Sequence, residues 1–274
     1  MKSSKETIPQ LFEAALSGER RSLGKLLTLV ERGGETADAV AGLAHQKAGN
    51  THVIGITGAP GSGKSTLTGR LLELLSQTGQ NTAVLAVDPS SPLTGGAILG
   101  DRIRMDDLTD ENSFIRSMAT RGHSGGLALA VPAAIQLFDA AGYKPVIIET
   151  VGVGQVEVDV AGAADTTVVV VTPGMGDAVQ ANKAGLLEVA DIFVVNKSDR
   201  PGANDARRDL DLMLDLGHIS GLEEKTGYRP PIIMANSLEG TGSQEIIEAI
   251  ENHANHLKSS GSIKVRQDQR TLME

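Results

Sequence analysis

The chain has 274 residues, a formal net charge of −9 and no cysteine. The negative charge argues against a partner bound through nucleic-acid phosphates, and an aromatic content of 2% argues against a base-stacking surface. The absence of cysteine excludes disulfide bonds and thiolate chemistry. The start has no apolar signal core and no apolar run is long enough to span a bilayer, so we expect a soluble, cytoplasmic protein.

The first 50 residues predict a helical extension. Apolar side chains recur at helical spacing within residues 5–47, and Gly33-Gly34 separates the second apolar stripe from the third. Thr36 is the expected cap of the third helix. We expect this extension to cover apolar core residues of the main domain rather than to take part in catalysis.

From residue 52 onward, strand-like and helix-like stretches alternate. The strand-like runs are 52–57, 82–87, 113–118, 145–150, 166–171, 191–195 and 231–235. The helix-like stretches are 64–78, 126–141, 178–189, 203–216 and 243–257. This alternation predicts an α/β fold, with a mostly parallel central sheet, helices on both faces, and ligands at the carboxyl ends of the strands. The expected divisions are a helical extension at 1–50, the main domain at 51–258 and the start of a C-terminal arm at 259–274.

Between the first predicted strand and helix lies a phosphate-binding loop of the form G-x-x-x-x-G-K-[ST]. Glycines let the backbone aim its N–H groups at phosphate oxygens, and the following helix N-terminus adds partial positive charge. Lys64 is the expected cation for the β- and γ-phosphates, and Ser65 is an expected oxygen ligand of Mg²⁺. The predicted phosphate-binding residues are Gly58, Ala59, Pro60, Gly61, Ser62, Gly63, Lys64, Ser65 and Thr66. The motif predicts a P-loop protein that binds a nucleoside triphosphate.

Acidic residues follow two of the predicted strands. Asp88 ends the second strand, and Asp101 lies at the far side of a loop rich in serine, proline and glycine. Glu149 comes at the end of a wholly apolar strand, where a carboxylate lies near Mg²⁺ in many P-loop enzymes, and Gly152 follows it at the position of a γ-phosphate-reading glycine. Each of these residues also has a simpler interpretation. Asp88 could form a turn, Asp101 could cap a helix, and Glu149 could be an edge carboxylate without a function.

The tetrapeptide Asn196-Lys197-Ser198-Asp199 ends another strand and predicts guanine recognition. The Asp199 carboxylate can accept hydrogen bonds from guanine N1–H and N2–H₂, a donor pair that adenine lacks, so the wrong base leaves it unpaired. Lys197 can lie along the base plane, and Asn196 can tie this loop to the phosphate-binding loop. Asn236 and Ser237 follow the last strand, at the position of a loop that backs the guanine.

Two further segments carry weaker signals. Asp177 follows a glycine-rich turn and could form a breakable pair with Lys183 in a loop that moves with nucleotide state, or could simply cap a helix. His253 and His256 share a helical face, but no third ligand is evident, so we do not expect a metal there.

These motifs, taken in order, resemble one family of GTPases: the MeaB/ArgK/methylmalonic aciduria type A family, chaperones of adenosylcobalamin-dependent methylmalonyl-CoA mutase. The most specific strings are Asp88-Pro-Ser-Ser-Pro, Gly95-Gly-Ala-Ile-Leu-Gly-Asp-Arg-Ile-Arg-Met, Glu149-Thr-Val-Gly-Val-Gly-Gln, Pro173-Gly-Met-Gly-Asp and Val195-Asn-Lys-Ser-Asp. The resemblance covers roughly residues 5–262.

The resemblance implies a fold of the signal-recognition-particle and MinD type, a homodimer, and slow Mg²⁺-dependent GTP hydrolysis that the mutase accelerates. It implies that the nucleotide state controls methylmalonyl-CoA mutase or a related acyl-CoA mutase. The controlled step is either the delivery of adenosylcobalamin to the mutase or the protection of the mutase from inactivation. It also implies an acidic magnesium and water site at Asp88, Asp101 and Glu149, and a switch loop containing Asp177 and Lys183. The chain ends at Glu274, whereas the family continues through a longer helical arm used for dimerisation.

Two other functions stay open from the residues alone. The older family names suggest a kinase or ATPase linked to basic amino acid transport, which would transfer phosphate to an acceptor rather than to water. A nucleotide-gated scaffold with negligible hydrolysis is the other.

Overall fold

The structure is a computed structural model that describes residues 7–49, 51–88, 111–119, 130–150, 162–174, 189–219 and 227–271. Its helices are α1 (Ile8–Leu16), α2 (Arg20–Arg32), α3 (Glu35–His45), α4 (Lys64–Gln77), α5 (Ala130–Ala140), α6 (Ala203–Ile219), α7 (Ser243–Ser260) and α8 (Ser262–Thr271). Its strands are β1 (Val53–Thr57), β2 (Thr82–Asp88), β3 (Ser113–Ala119), β4 (Val146–Thr150), β5 (Thr166–Val171), β6 (Ile192–Val195) and β7 (Ile232–Met234).

The strands form one seven-stranded sheet in the order β3-β2-β4-β1-β5-β6-β7. Every pair of neighbouring strands is parallel. The predicted α/β fold with a parallel central sheet is confirmed. β1, which leads into the phosphate-binding loop, lies in the middle of the sheet, so the loops after its neighbours open onto the same edge.

Helices cover both faces of the sheet. On one face, Ile54, Ile56 and Val168 pack with apolar side chains of α4 and α7. On the other face, alternate strand residues pack with α5 and the three N-terminal helices at one end of the sheet, and with α6 at the other. Because both faces are buried, strands such as β5 are continuous apolar or threonine runs without polar alternation.

The N-terminal helices share a core with the sheet. Leu26 and Leu27 of α2 are fully buried in the same cluster as Phe138 of α5. The half-buried ion pair between Arg116 of β3 and Glu31 of α2, at 2.7 Å, fixes α2 against the edge strand. These contacts agree with the expected covering role of the extension.

The third helix begins earlier than predicted, and the expectation that Thr36 caps it is wrong. The cap position is Gly34, and Thr36 lies inside the first turn. Gly33 and Gly34 both have φ +76°, a left-handed conformation that glycine adopts without strain, and α3 begins at the next residue. The Gly34 carbonyl accepts the first hydrogen bonds of the helix, from Ala37 N and Asp38 N.

A buried polar cluster lies at the amino-terminal edge of the sheet, opposite the edge where ligands bind. Asp165 and Asp191 precede β5 and β6 and accept the backbone N–H groups of Val53 and Thr167, each at 2.8 Å. Arg266 of α8 donates to both carboxylate oxygens of Asp191 at 2.7 Å. We call these side chains, with Arg270, His52, Thr166 and His253, the amino-edge cluster.

His253 belongs to this cluster. Its Nδ1 lies 2.8 Å from Thr166 Oγ1, and its Nε2 lies 3.3 Å from Asp191 Oδ1. Burial lowers its pKa to about 4, although the Asp191 charge opposes that shift. Among the described residues, no three or more His, Cys, Asp or Glu side chains are grouped so that they could hold a metal ion. Within the same ranges, no helix combines the length and apolar character needed to cross a membrane.

Candidate nucleotide-binding site

A cleft of about 760 Å³ opens at the carboxyl edge of the sheet. The loop after β1, the first turns of α4, the end of β4 and the loops after β6 and β7 line it. It is lined by several predicted site residues: Pro60, Gly61, Gly63, Lys64, Ser65, Thr66, Glu149, Asn196, Lys197, Asp199, Asn236 and Ser237. Residues predicted from separate motifs therefore lie around one cavity.

The phosphate-binding loop wraps around the Lys64 side chain. The Lys64 ammonium is buried and donates to the carbonyl oxygens of Gly58 at 2.7 Å and Ala59 at 3.0 Å. Lys64 is the first residue of α4, and the backbone N–H groups of a helix's first turn point toward its amino-terminal end. A buried ammonium beside a helix N-terminus gives this end of the cleft positive charge that suits phosphate oxygens.

Two glycines of the loop are required by close approach. A methyl group on Gly58 would lie 2.1 Å from the Val170 carbonyl oxygen, and one on Gly63 would lie 2.3 Å from Asn196 Nδ2. Both residues have positive φ, +140° and +92°. The loop can therefore touch β5 and the Asn196 side chain only because these positions have no Cβ.

Two oxygen-bearing side chains meet at the floor of the cleft. Ser65 Oγ donates to Glu149 Oε1 at 2.5 Å, and Glu149 is 5% exposed. Hydroxyl and carboxylate oxygens are the donors that Mg²⁺ prefers, so this pair fits a magnesium ion by the chemistry of its donors. Asp88 ends β2, two strands from β1, but its side chain lies outside the described part of the structure.

Asn196 connects the phosphate-binding loop to the loop after β7. Its Nδ2 donates to Ser62 O at 2.8 Å. Its Oδ1 accepts from Ser237 N at 3.1 Å and from Ser237 Oγ at 2.8 Å. Because Asn196 and Ser237 are almost fully buried, these bonds are shielded from water and fix the distance between the two loops.

The next two motif residues face the cleft. Lys197 is the one non-glycine residue with positive φ in the described ranges, at +57°, and its ammonium donates to Gly61 O at 2.6 Å. Asp199 lines the cleft and is exposed, so its carboxylate is accessible to a base. A left-handed residue held by a lysine–carbonyl bond turns the chain so that the Asp199 side chain borders the cavity.

Four predicted site residues lie outside the described ranges: Asp101, Gly152, Asp177 and Lys183. The predicted helix at 178–189 also falls there, apart from its last residue.

Sequence reasoning missed five residues of the cleft: Gly69, Arg70, Glu73, Arg200 and Leu238. Arg70 of α4 donates from Nε to Ser237 O at 3.2 Å and from a terminal nitrogen to Leu238 O at 2.9 Å. Glu73 pairs with the Arg70 guanidinium at 2.9 Å. Leu238 lines the cleft with 77% of its surface exposed. Nothing in the local pattern of α4 distinguishes Arg70 from an ordinary solvent-facing arginine, because its partners are 167 and 168 residues away in the chain.

Comparisons with known proteins place this architecture among GTPases. The family model described as "Methylmalonyl Co-A mutase-associated GTPase MeaB" matches residues 23–274. A putative GTPase of Pyrococcus horikoshii is 48% identical over 98% of this chain and 84% of its own length. The GTPase ArgK of Escherichia coli is 39% identical over 96% of this chain and 81% of its own length.

Two further matches bear on fold and association. A fused isobutyryl-CoA mutase of Cupriavidus metallidurans is 40% identical over 74% of this chain, in a region that makes up 19% of that protein. A crystal structure described as an LAO/AO transport system kinase superposes with a TM-score of 0.74 at 29% identity, covering 99% of this chain and 83% of that one.

Proposed function

Because the chain belongs to the MeaB family of methylmalonyl-CoA mutase-associated GTPases, we propose that it hydrolyses GTP with Mg²⁺ in this cleft and that its nucleotide state controls a mutase. The controlled step is adenosylcobalamin loading or protection of methylmalonyl-CoA mutase or a related acyl-CoA mutase. The family description and the similar region within a fused isobutyryl-CoA mutase support this choice of partner.

The observation that carries the nucleotide assignment is the Asn196 bridge between Ser62 and Ser237. It joins the phosphate-binding loop to the loop after β7, and Asn196 belongs to the same motif as Asp199, whose carboxylate suits guanine; all three loops border one cavity. A nucleotide whose phosphates lie against Lys64 and the start of α4 would reach toward Asp199 with its base, where guanine supplies the matching donors.

In the proposed mechanism the chain acts by positioning and charge stabilisation, and water attacks the γ-phosphate. Lys64 and the N–H groups at the start of α4 hold the β- and γ-phosphates. Ser65 and Glu149 would hold Mg²⁺, together with the predicted Asp88 and Asp101. When bound, that ion would neutralise charge on the phosphate oxygens.

We also propose how the chain signals its nucleotide state to the mutase and that two copies of the chain assemble. The predicted switch residues Asp177 and Lys183 and the γ-phosphate-reading Gly152 would report nucleotide state to the partner. The chain would act as a homodimer in the cytoplasm, and its size in solution by light scattering tests the dimer.

Nucleotide turnover tests the activity. We expect slow release of phosphate from GTP in the presence of Mg²⁺, little from ATP, and a faster rate when methylmalonyl-CoA mutase or isobutyryl-CoA mutase is added. Transfer of phosphate to arginine or ornithine instead of water would support the kinase activity that the related structure's description suggests. A GTPase rate unchanged by either mutase would contradict the proposed partnership.

Exchange of Asp199 for asparagine tests the guanine contact. Xanthine has a carbonyl oxygen in place of the guanine 2-amino group, and the asparagine amide can donate to that oxygen. We expect Asp199→Asn to prefer XTP over GTP, whereas Asp209→Asn, an exposed change on α6, should leave the GTP preference as in the unmodified protein. If both variants keep the preference for GTP, Asp199 does not read the base.

A further inference from the structure

Two threonines end adjacent strands beneath the cleft. Thr57 is the last residue of β1, and Thr150 is the last residue of β4. In the register of these parallel strands, Ile56 pairs with Glu149. The residues that follow, Thr57 and Thr150, therefore lie side by side. Thr57 leads directly into the phosphate-binding loop, and Thr150 directly follows the carboxylate of the proposed magnesium site.

Both threonine side chains point to the face of the sheet that α5 covers. Ile56 packs in the cluster on the α4 side, and Glu149 accepts a hydrogen bond from Ser65 of α4. Because successive side chains of a strand point to opposite faces, the next residue in each strand faces the other way. Thr57 and Thr150 are both fully buried. Two hydroxyl groups are thus enclosed next to each other between the sheet and α5.

Neither hydroxyl has a hydrogen-bond partner in the described part of the structure. A buried hydroxyl without a partner is unfavourable, because it has given up its hydrogen bonds to water. On its other side, Thr150 pairs with Val87 of β2. Thr57 likewise pairs with Val169 of β5. Valine side chains offer no donor or acceptor, so each threonine has the other as its polar neighbour across these strands.

The spacing of the strands suits a water molecule between the two hydroxyls. Neighbouring strands lie about 4.8 Å apart, which is too far for one direct hydrogen bond of about 2.8 Å. A water that makes two such bonds at a tetrahedral angle joins oxygen atoms about 4.6 Å apart. It can also donate to one hydroxyl while it accepts from the other, so it can satisfy both groups.

We propose that Thr57 and Thr150 bind one internal water molecule, which ties the end of β1 to the end of β4 and so positions Glu149 against Ser65. The two threonines are positioning residues, because they act through Glu149. The inference rests in part on the proposed function, since it assigns the shared water a role in Mg²⁺ binding. The shared water itself does not depend on any nucleotide or metal ion.

Unfolding in urea tests the shared water. Valine has the shape of threonine without the hydroxyl, so Thr57→Val and Thr150→Val each remove one partner of the water. We expect each variant to lower the equilibrium constant for folding about tenfold, because the remaining hydroxyl loses its bridge. The double variant should lose less than the roughly hundredfold that independent effects would give, since no polar group is then left unpaired.

Thr167→Val is the matched control. The Thr167 hydroxyl is also buried and without a partner among the described residues, but its neighbour on β1 is Gly55, which has no side chain. Since no hydroxyl lies beside it on β1 to share a water, its removal should leave the folding equilibrium unchanged or favour folding.

The affinity for GDP with and without Mg²⁺ tests the positioning role. We expect Thr150→Val to reduce the gain in GDP affinity on addition of Mg²⁺ about tenfold, because the preceding residue, Glu149, is no longer held in place. The affinity for GDP in EDTA should stay as in the unmodified protein. Thr167→Val should change neither affinity.

The possible failures can be told apart. Losses that simply add in the double variant, or single variants that behave like Thr167→Val, would overturn the shared water. A high-resolution crystal structure with no water within hydrogen-bonding distance of both hydroxyls would do the same. A full Mg²⁺ effect in Thr150→Val would overturn the positioning role. If Mg²⁺ does not strengthen GDP binding to the unmodified protein, the proposed metal site and the positioning role are wrong, but the urea result still decides the shared water.

Discussion

At Gly63 the phosphate-binding loop comes into contact with Asn196 of the proposed guanine-binding motif. The Asn196 amide lies where a side chain at residue 63 would start, and the backbone there has φ +92°. One hydrogen atom in place of a Cβ therefore allows the bond between Asn196 and Ser62 that joins the two halves of the cleft.

Replacing Gly63 by alanine should destabilise the protein without nucleotide. The left-handed backbone costs about 1–2 kcal/mol for a residue with a Cβ, and displacement of Asn196 adds the loss of its buried hydrogen bonds. We expect a fall in Tm by thermal unfolding.

Gly61→Ala is the matched control for this prediction. Gly61 has φ +75° in the same loop, but a methyl group there meets nothing within 4 Å. It should show the backbone cost alone, with a smaller fall in Tm. Equal losses in the two variants would mean that contact with Asn196 is unimportant.

Helix α8 is attached to the sheet mainly by polar bonds. Its Arg266 binds Asp191 with two hydrogen bonds and donates to the Asp165 carbonyl at 2.7 Å, and Arg270 lies 3.3 Å from the Asp165 carboxylate. Asp165 is fully buried and Asp191 nearly so. Charges removed from water in this way are costly when a partner is lost.

We expect Arg266→Met to lower the free energy of unfolding by about 3 kcal/mol, because it leaves the buried Asp191 carboxylate without its main counter-charge. Urea denaturation measures this change. Arg207→Met removes an exposed pair with Asp211 on α6, with 53% and 50% of the two side chains accessible, and should change stability by less than about 1 kcal/mol. Similar losses in both variants would show that α8 does not depend on the buried pair.

The stability of the amino-edge cluster should also depend on pH through His253. Asp191, Arg266, His52, His256 and Tyr228 surround it.

The pKa of His253 is about 4 in the folded protein and near 6.5 when exposed, so the unfolded chain binds the proton first as pH falls. Stability should therefore decrease between pH 6.5 and pH 4, by about 3 kcal/mol from this residue.

His253→Gln should reduce this pH dependence, measured as urea midpoints at pH 7.5, 6 and 5, because glutamine does not titrate. The His45→Gln variant, which changes a surface histidine of α3, is the control and should keep the original slope. An unchanged slope in His253→Gln would contradict the assignment.

At the scale of the whole molecule, the sheet separates two polar regions. The cleft lies at the carboxyl edge and the amino-edge cluster at the other, and β5 and β6 run between them. Because the loops that line the cleft extend from buried strands such as β1, nucleotide binding and global unfolding should be linked.

GDP and Mg²⁺ should stabilise the folded protein by mass action. At a concentration of one hundred times Kd, a ligand that binds only the folded state contributes about 2.7 kcal/mol, which raises Tm by several degrees. We expect removal of Mg²⁺ with EDTA to reduce the GDP-dependent rise in Tm.

The Glu149→Gln variant tests the contribution of Mg²⁺ to stability separately from that of GDP. It keeps the size of the side chain that accepts from Ser65 and removes its charge, so the stabilisation by GDP in EDTA should remain while the extra rise with Mg²⁺ disappears. A full Mg²⁺ response in this variant would remove Glu149 from the proposed metal site.

Several features followed from the sequence because they are encoded locally. The alternation of apolar runs and helical stripes predicted each described strand to within one residue at either end, and two short motifs predicted the loops that line the cleft. The glycines of the phosphate-binding loop determine which backbone conformations that loop can adopt. Because the loop follows a strand and precedes a helix, its N–H groups point toward the cleft. The start of α3 was misjudged because two adjacent glycines, rather than threonine, set where that helix begins.

The sequence by itself thus determined the class of fold and the kind of ligand, through residues that are neighbours in the chain. Only the tertiary structure decided the strand order, the Asn196 bridge across 134 residues, the contact of Arg70 with Ser237 across 167 and the meeting of Thr166 with His253 across 87. The physical reason is that such contacts depend on how strands are ordered and helices packed. The local pattern of side chains does not indicate which distant groups come within hydrogen-bonding distance in the folded protein.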